Sequence, residues 1–296
     1  MDWDKLRIFH SVAEAGSFTH AGEALNLSQS AVSRQIGALE ESLKVPLFHR
    51  HARGLELTEQ GELLYRTAHD VFGKVAMAEA MLVDSLEKPR GELKVTTTVG
   101  FGTTWLTPRV REFLDMYPDI SLRLLVVDHE LDLSMREADV AIRMRAPTQP
   151  DLIQRRLITV HYHIYAAPEY LRRYGSPRSI DDFSGHRLVI YGEEAPPPIA
   201  DINWLMQVAR QGDDAAGAVL RINNIYGVLR AVESGVGIAA LPDYLARDNP
   251  GLVQVLTDVE GPSFVTYFVY PEELRDSKRV AVFRDFLLRQ VAAWNF

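Results

Sequence analysis

The sequence contains no cysteine, and this absence removes several classes of function. Without a thiol, the chain cannot form disulfides, sense redox state through a thiolate, bind metal through sulfur or use a cysteine nucleophile. Long hydrophobic runs are also missing, since no apolar segment approaches the ~18 residues that cross a bilayer. Residues 1–5 lack the character of a signal peptide. These absences favour a cytoplasmic protein with no membrane partner.

The signatures of common enzymes are missing too. The chain has no Gly-x-Ser-x-Gly elbow, no His-Glu-x-x-His motif and no Walker loop. Gly235 and Gly237 loosely match a dinucleotide fingerprint, but a predicted helix precedes them and a predicted strand follows. We therefore expect Gly235 to end that helix and the glycine segment to start the strand. His161 and His163 share a strand face without a third ligand, which favours packing. We therefore predict no enzyme, no cofactor and no metal site.

Positive charge is scarce and concentrated in one place. The 296 residues carry a net charge of −8, and residues 1–90 have ten Lys/Arg against thirteen Asp/Glu. Residues 28–53 are the exception, with a net charge of +2, and they also contain His49 and His51. Phosphate binding needs only a local basic patch, so this segment is the candidate nucleic-acid contact. Its modest charge predicts binding that depends on dimerisation and weakens quickly with salt.

The first sixty residues have the pattern of three short helices. An apolar stripe at helical spacing predicts the first helix, and Gly16 ends it. Ser17 or Thr19 can cap a second helix, Asn26 makes the turn, and Ser28 caps a third helix that runs to about residue 42. Two short helices joined by a tight turn can place the second in a major groove. The residues of the three apolar faces are Leu6, Phe9, Val12, Ala13, Ala21, Ala24, Leu25, Ala31, Val32, Ile36 and Leu39.

The outward face of the third helix has side chains that can reach base edges. Gln29, Ser30, Ser33 and Arg34 lie in its first two turns. Arg pairs with guanine, Gln with adenine, and Ser with several bases or a phosphate. From the residues alone, a solvated polar face is an equally good interpretation.

A basic hairpin is predicted after this helix. Alternating apolar residues at 45–48 and 55–58 flank a turn that contains Arg50, Arg53 and Gly54. Such a wing suits phosphate or minor-groove contact by Arg50 and Arg53. The alternative is a surface turn whose arginines only face solvent.

Residues 18–36, together with Leu39-Glu40, Pro46-Leu47-Phe48-x-Arg50 and Leu57-Thr58-x-x-Gly61, resemble the winged helix-turn-helix signature of LysR-type transcriptional regulators. The resemblance implies base reading by the four residues of the third helix, and contacts to the DNA backbone or minor groove by Ser28, Arg50 and Arg53. It also implies double-stranded promoter DNA as partner, a homodimer or a tetramer made of two dimers, and contact with RNA polymerase. A protein of this kind would be associated with the nucleoid.

A long helix is predicted after Thr58, extending to about residue 86. Apolar residues at alternating steps of four and three form a heptad seam, which predicts a dimer interface. The alternative is an amphipathic helix packed on its own domain. A hinge is predicted at residues 88–91, which include Pro89 and Gly91. The seam consists of Leu64, Ala68, Val71, Val75, Ala78 and Leu82, with Ser85 as a polar seventh member.

Strands alternate with helices beyond residue 91, which predicts a mostly parallel sheet. Ligands bind such sheets at the carboxyl ends of the strands, here at residues 97–103. Hydroxyls and backbone N–H groups near a helix N-terminus suit an anionic or carboxylate effector. The alternative is that the glycines only form a tight turn. The predicted effector contacts in this segment are Thr97, Thr98, Gly100, Phe101, Gly102 and Thr103.

Leu106-x-Pro108, residues 139–143 and residues 232–242 are similar to the effector-binding part of the same family. That part has a periplasmic-binding-protein-like architecture of two subdomains with a ligand cleft between them. Residues 136–143 look closest to the branch of glycine-cleavage and β-lactamase regulators, while the first sixty residues look alphaproteobacterial. Five further residues are candidate effector contacts in the cleft: Asp128, His129, Arg143, Pro197 and Asn223. For Pro197, a stiff surface loop is an equally good interpretation.

The predicted fold is α/β, with a winged helix-turn-helix (1–58), a linker and dimerisation helix with hinge (59–90) and an effector-binding domain (91–296). Within the last, subdomain I is about 91–160 and 267–296, and subdomain II about 161–266. We predict a sequence-specific transcription regulator modulated by a small-molecule effector. Two alternatives are an effector-independent DNA-binding protein whose C-terminal domain only oligomerises, and a nucleotide-dependent enzyme built on the α/β part.

Overall fold

A computed structural model describes residues 2–51, 54–84, 88–147, 149, 151–192, 199, 201–209 and 218–294. For residues 50, 51, 54 and 76–84 it describes the backbone alone. The chain divides into two compact units, which we call unit 1 (Met1–Ala80) and unit 2 (Met81–Phe296). Within the described residues, no helix is both long and apolar enough to span a bilayer.

Unit 1 is a winged helix-turn-helix followed by a long helix. Its elements are α1 (Trp3–Ala15), α2 (Phe18–Leu25), α3 (Gln29–Leu43), β1 (Phe48–His51), β2 (Gly54–Leu57) and α4 (Glu59–Asp84), the last of which passes the end of the unit.

The helix boundaries in unit 1 follow the predicted capping residues. Gly16 and Asn26 end α1 and α2 in the left-handed region, with φ of 59° and 55°. The Ser28 hydroxyl accepts a hydrogen bond from the Ala31 N–H at 3.2 Å, and the Thr58 hydroxyl accepts one from the Gly61 N–H at 3.0 Å. Local side-chain chemistry therefore determines where these helices begin and end.

The core of unit 1 lies where α1, α3 and the start of α4 meet. Phe9, Val12 and Ile36 have no exposed surface, and Ala68 of α4 is buried with them. Trp3 of α1 lies against Phe72 of α4, with ring centroids 4.7 Å apart. The first half of α4 is therefore part of the helix-turn-helix core.

Unit 2 is an α/β structure. Its elements in chain order are β3 (Gly91–Thr97), α5 (Val99–Phe101), a π-helical turn (Gly102–Leu106), α6 (Thr107–Met116), β4 (Ile120–Val126), β5 (Val140–Arg143), β6 (Leu152–Ala166), α7 (Pro168–Tyr174), a 3-10 turn (Ile180–Gly185), β7 (Leu188–Tyr191), α8 (Trp204–Ala209), β8 (Ala218–Ile222), α9 (Ile225–Glu233), β9 (Ala239–Pro242), α10 (Asp243–Ala246), β10 (Val253–Val255), β11 (Ser263–Pro271), a second 3-10 turn (Glu272–Leu274) and α11 (Lys278–Ala293).

The sheets of unit 2 are mixed, which corrects the prediction of a mostly parallel sheet. β3 pairs in parallel with β4 and β5, and β7 pairs in parallel with β8. β11, however, is antiparallel to both β5 and β6, and β6 is antiparallel to β9 and β10. The long strands β6 and β11 run in opposite directions, and this reversal produces the antiparallel part of the sheet.

β6 and β11 also join two sheet regions. The first part of β6 pairs only with β11, whereas its last part pairs with β9 and β10. The register of β11 shifts between Thr266 and Tyr267, at the predicted subdomain boundary. The other predicted boundary, after residue 160, falls inside β6. These two strands are therefore the candidate connection between the subdomains.

Candidate functional site

The first candidate site is the outward face of α3 in unit 1. Gln29, Ser30 and Arg34 are exposed and Ser33 is half-buried, while Val32, Ile36 and Leu39 on the opposite face are fully buried. The four predicted base-reading side chains therefore lie together on the accessible side of one helix. Apolar side chains pack the opposite side of α3 into the core, so the four polar side chains can contact a ligand without disturbing that packing.

Local hydrogen bonds order the start of this face. The hydroxyl groups of Ser28 and Ser30 lie 3.1 Å apart, and the Arg34 Nε donates to the Ser30 carbonyl at 3.3 Å. The Arg34 side chain thus folds back along α3 with its guanidinium still exposed. Hydroxyl and guanidinium groups of this kind suit the hydrogen-bonding edges of bases and phosphates.

Glu40 has a structural role that the sequence analysis did not assign. Its carboxylate accepts hydrogen bonds from the backbone N–H groups of Leu47 and Phe48, at 2.8 and 3.3 Å. It therefore attaches the entrance of the wing to α3. The wing itself is the predicted hairpin, with Phe48 opposite Leu57 and His51 opposite Gly54. Arg53 and the side chain of Arg50 lie outside the described residues.

The predicted dimer seam on α4 is only partly available for a partner chain. Ala68 is fully buried in the core of unit 1 and Leu64 packs against that core, so the seam prediction is corrected at Ala68. Val71 is half-buried and Val75 is 40% exposed. A heptad repeat has the same spacing whether its partner is another chain or α1, which explains the difference. The side chains of Ala78 and Leu82 lie outside the described residues, and so does Ser85.

The second candidate site is a cavity of about 490 Å³ in unit 2. It lies at the carboxyl ends of β3, β4 and β5, where parallel strands leave room for a ligand. Its volume falls in the range of about 300–1,000 Å³ that is typical of small-molecule sites. The lining residues are Thr96, Thr97, Thr98, Val127, Asp128, His129, Glu130, Leu131, Ala141, Ile142, Arg143, Met144, Arg145, Asn223 and Asn224.

Arg143 is the buried cation of this cavity. Its side chain is 4% exposed and its Nη2 donates to the Leu131 carbonyl at 3.1 Å and to Gln149 Oε1 at 3.3 Å. Its Nη1 lies 3.5 Å from a Glu130 carboxylate oxygen but makes no hydrogen bond to any described residue. The other Glu130 oxygen accepts a 2.7 Å hydrogen bond from Arg145. Arg143 Nη1 therefore has an ion-pair partner in Glu130 but no hydrogen bond within the described part of the chain.

Asp128 and Asn224 connect the two sides of the cavity. The Asp128 carboxylate accepts the Val99 N–H at 3.0 Å and the Asn224 side-chain amide at 3.0 Å. Asn224 also caps α9 through the N–H groups of Tyr226 and Gly227. Asp128, which was predicted as an effector contact, therefore also joins the start of α5 to the start of α9.

Two hydroxyl groups at the end of β3 have no hydrogen-bond partner among the described residues. The Oγ1 atoms of Thr97 and Thr98 are both buried, and both residues line the cavity. A buried polar atom without a partner carries a free-energy penalty of about 1–3 kcal/mol. With Arg143 Nη1, three residues that line the cavity each have a buried polar atom without a hydrogen-bond partner among the described residues.

Residues 100–103, which were also predicted as effector contacts, do not line this cavity. Phe101 has no exposed surface and stacks on Trp105, with ring centroids 4.8 Å apart. A Cβ atom on Gly100 would lie 2.5 Å from Ile225, and one on Gly102 would lie 2.3 Å from Val126. Both glycines therefore allow close packing. Thr103 uses its hydroxyl within the helix, donating to the Val99 carbonyl.

The remaining predicted residues divide in two groups. His129 and Asn223 line the cavity and are exposed, whereas Pro197 lies outside the described residues. The ion pair of Glu130 and Arg145 beside Arg143 was not predicted, because no local pattern indicates that the two side chains meet. Gly235 has a φ of +76° and follows the end of α9, which confirms that this glycine ends a helix.

Two family models match the chain. A model described as a bacterial regulatory helix-turn-helix protein of the lysR family matches residues 3–62. A model described as a LysR substrate binding domain matches residues 86–292. The two matches coincide with the two candidate sites, since the first contains α3 and the second contains the cavity.

Individual proteins resemble the whole chain. The transcriptional regulator CrgA of Neisseria meningitidis is 31% identical over 301 residues, covering 97% of this chain and 96% of CrgA. The solved CrgA structure has a TM-score of 0.60 at 28% identity, covering 98% of this chain and 99% of that one. The full-length Vibrio cholerae activator AphB has a TM-score of 0.62 at 26% identity, covering 98% and 99%. The chain therefore belongs to the LysR-type family and is a DNA-binding transcription regulator with an effector-binding domain.

Proposed function

We propose that the effector of this regulator is a small molecule with a carboxylate or similar anionic group, bound in the cavity of unit 2. The observation that carries this proposal is a set of three buried polar atoms with no hydrogen-bond partner among the described residues, Thr97 Oγ1, Thr98 Oγ1 and Arg143 Nη1. Two hydroxyls and a guanidinium can all donate to carboxylate oxygens, and the guanidinium adds a charge-assisted hydrogen bond.

The charges around Arg143 suggest how such an anion binds. In the structure, Glu130 lies beside both Arg143 and Arg145, so two cations share one carboxylate. An incoming anion can take the position facing Arg143 Nη1 while Glu130 keeps its 2.7 Å hydrogen bond to Arg145. Binding of the anion is favoured because Arg143 is buried, and a buried guanidinium without a close counter-ion carries a free-energy penalty.

The test is a thermal-shift screen of the full chain with small carboxylates and their amide analogues of the same size. A ligand that binds the native state raises the melting temperature, so carboxylates should raise that of unit 2 and amides should not. Arg143→Gln should abolish the shift, whereas Arg111→Gln, at a 91% exposed arginine on α6, should leave it unchanged. Stabilisation by the amides alone, or by carboxylates in Arg143→Gln, would contradict the proposal.

We further propose that Gln29, Ser30, Ser33 and Arg34 read bases, with Ser28, Arg50 and Arg53 on the DNA backbone or minor groove. Arg34→Ala should lower affinity for the preferred site by about 1–3 kcal/mol and relax the preference at one base pair. Arg66→Ala is the matched control, since Arg66 is a 73% exposed arginine on α4. Binding titrations at several salt concentrations give both quantities, and an unchanged site preference in Arg34→Ala would contradict base reading.

We propose that the chain dimerises through α4 beyond the part buried in unit 1, beginning at Val71 and Val75 and continuing through Ala78 and Leu82. Val75→Glu should shift the protein towards monomers in sedimentation, and weaken binding to a two-fold operator. Lys74→Glu introduces the same side chain at the neighbouring exposed position and should leave the oligomeric state unchanged. Equal effects of the two variants would place the interface elsewhere.

At the promoter, we propose that the protein acts in the cytoplasm at the nucleoid, as a dimer or a pair of dimers, and contacts RNA polymerase. The domains would be those predicted, 1–58, 59–90 and 91–296, with two subdomains that close on the effector. Transcription in vitro with purified polymerase, with and without a carboxylate found in the screen, tests this part. An effector that binds the protein without changing transcription would contradict it.

A further inference from the structure

Two histidines and a glutamate converge where α1 crosses α4 in unit 1. His10 Nε2 and His69 Nδ1 lie 2.7 Å apart. A carboxylate oxygen of Glu14 lies 3.7 Å from His10 Nδ1, and the other lies 3.8 Å from His69 Nδ1. Each of the three side chains offers one ligand atom, and these atoms all lie within 4.8 Å of one another. Among the described residues, no other group of this kind is found.

The surroundings of this cluster are apolar on one side and open on the other. Tyr65 stacks on the His10 ring at 5.4 Å, and Phe72 lies 5.1 Å from it. The side chains of His10 and His69 are 15% and 20% exposed, whereas Glu14 is 50% exposed. His10 and Glu14 are four positions apart on α1, so they share one helix face. Packing thus holds both imidazoles, and solvent can reach the cluster past Glu14.

We propose that His10, Glu14 and His69 bind a divalent transition-metal ion of the zinc type, which ties α1 to α4. Two imidazole nitrogens and one carboxylate oxygen form a three-ligand set for Zn²⁺ that leaves a fourth position for water. Other first-row divalent ions share this ligand preference. The site lies wholly in unit 1, so it does not depend on the effector proposed for unit 2.

The distance between His10 Nε2 and His69 Nδ1 indicates what lies between the two nitrogens when no metal is bound. Two nitrogens bound to one tetrahedral ion at ~2.0–2.1 Å would lie about 3.3 Å apart. At 2.7 Å, one ring instead donates its N–H to the other, and a shared proton occupies the position of the ion. Metal binding would require this proton to move to the other nitrogen of its own ring, and would separate the two coordinating nitrogens by about 0.6 Å.

The ion would act on the connection between the DNA-reading helices and the long helix. α1 carries two of the ligands and packs on α3, while α4 carries the third. An ion bound to both helices stabilises the folded form of unit 1, because the ligands are not held together in the unfolded chain. We therefore expect added metal to raise the melting temperature of unit 1 and leave that of unit 2 unchanged.

The test uses the full chain after treatment with a chelator. Titration with Zn²⁺ by calorimetry should show one tight site per chain, and Co²⁺ should give the intense visible band of a tetrahedral site. His69→Gln and His10→Gln should each weaken binding at least about tenfold, in line with the effects of lost partners at metal sites. His20→Gln, at an exposed histidine on α2, is the matched control and should bind as the parent does.

Two further variants keep the result clear if a histidine substitution destabilises unit 1. Glu14→His keeps a ligand at an exposed position and should retain the Co²⁺ band, whereas Glu14→Gln should weaken it. Absence of a stoichiometric site in the parent chain, or equal affinity in His69→Gln and the parent, would overturn the proposal. Either result would leave His10 and His69 as a hydrogen-bonded pair that only packs α1 on α4.

Discussion

The candidate DNA-reading face of unit 1 and the cavity of unit 2 are built in opposite ways. The first uses side chains from two consecutive turns of one helix, α3, all within residues 29–34. The second brings together the ends of β3, β4 and β5 and the start of α9, with residues as distant in sequence as Thr97 and Asn223. The first arrangement is set by helical periodicity, and the second exists only when the sheet is assembled.

The two sites also differ in how well the neighbouring sequence indicates whether a residue is buried or accessible. On α3, apolar spacing determines which side chains are buried, so Gln29 and Arg34 are accessible by default. In unit 2, residues three positions apart differ in role: Thr98 lines the cavity, while Phe101 lies in the core. Substitutions in the two units should therefore have separable effects, and the following four changes test this from the largest effect to the smallest.

Gly61→Ala should unfold unit 1 and spare unit 2. A Cβ atom on Gly61 would lie 2.1 Å from the Leu47 carbonyl oxygen, a contact that the backbone of the wing cannot relieve without moving. We expect a loss of about 3 kcal/mol or more in the free energy of unfolding, at the upper end of overpacking effects. Scanning calorimetry should show the transition of unit 1 shifted and that of unit 2 unchanged.

Gly37→Ala is the control for this change. Nothing lies within 4 Å of the Cβ position of Gly37, which is inside α3. The alanine should stabilise unit 1 by up to about 1 kcal/mol through helix propensity. A Gly61→Ala protein in which both units melt at lower temperature would show that the two units are not independent.

Phe101→Ala should destabilise unit 2 without a specific effect on effector binding. Phe101 is fully buried between Trp105 and Tyr244, at ring-centroid distances of 4.8 and 5.3 Å. The lost packing should lower the unfolding free energy by about 3–5 kcal/mol. Thr98→Val should have the opposite effects. It removes a hydroxyl from a residue that lines the cavity, so it should change the stability of unit 2 only slightly but weaken effector binding. Comparable ligand affinity in Thr98→Val and the parent would argue against the lining assignment.

Asp243 should make the stability of unit 2 depend on pH. Burial raises the pKa of this carboxyl to about 6, although the N–H groups of His161 and Tyr244 donate to it and partly oppose the shift. The pKa of Asp243 is higher in the folded state than in the unfolded state, so the folded state holds the carboxyl proton more tightly. The stabilisation of unit 2 by this protonated carboxyl is complete below about pH 4 and is lost as the pH rises through about 6.

Relative to Asp243→Asn, the parent chain should lose about 2 kcal/mol of stability between pH 4.5 and 7.5, given about 1.4 kcal/mol per unit of pKa difference. Urea denaturation of both proteins across this range measures the change. Asp115→Asn, at a carboxylate that is 71% exposed, should show no such trend. Parallel stability curves for the parent and Asp243→Asn would mean that the carboxyl titrates normally.

Ser28 combines a cap with a proposed phosphate contact, and two substitutions separate these roles. Ser28→Ala removes the hydroxyl that accepts the Ala31 N–H and should lower stability by about 1 kcal/mol. Ser28→Asp keeps a capping oxygen but places a negative charge where DNA would lie. In denaturation experiments, Ser28→Asp should be nearly as stable as the parent protein. In DNA titrations, it should have the lowest affinity of the three proteins. An aspartate variant that binds DNA like the parent would place Ser28 away from the phosphates.

Several features of both units could be predicted because their causes are local. Ser28 and Gly235 act on backbone groups a few residues away, and their side-chain chemistry is sufficient to locate helix ends. The position of the cavity was also predictable, since the carboxyl ends of β3 and β4 follow from strand order alone. Glu40 gave no such signal, because its partners Leu47 and Phe48 lie in another element.

The sequence by itself determined the capped helices of unit 1, the polar face of α3 and the alternation of strands and helices in unit 2, since each depends on periodicity or on neighbouring residues. Only the tertiary structure decided that Ala68 packs on the chain's own core, that β6 and β11 run antiparallel, and that Arg143 faces Glu130. The physical reason is that the type of a side chain, apolar or charged, does not indicate which surface distant in sequence it will pack against. The free energy of the assembled core determines that contact.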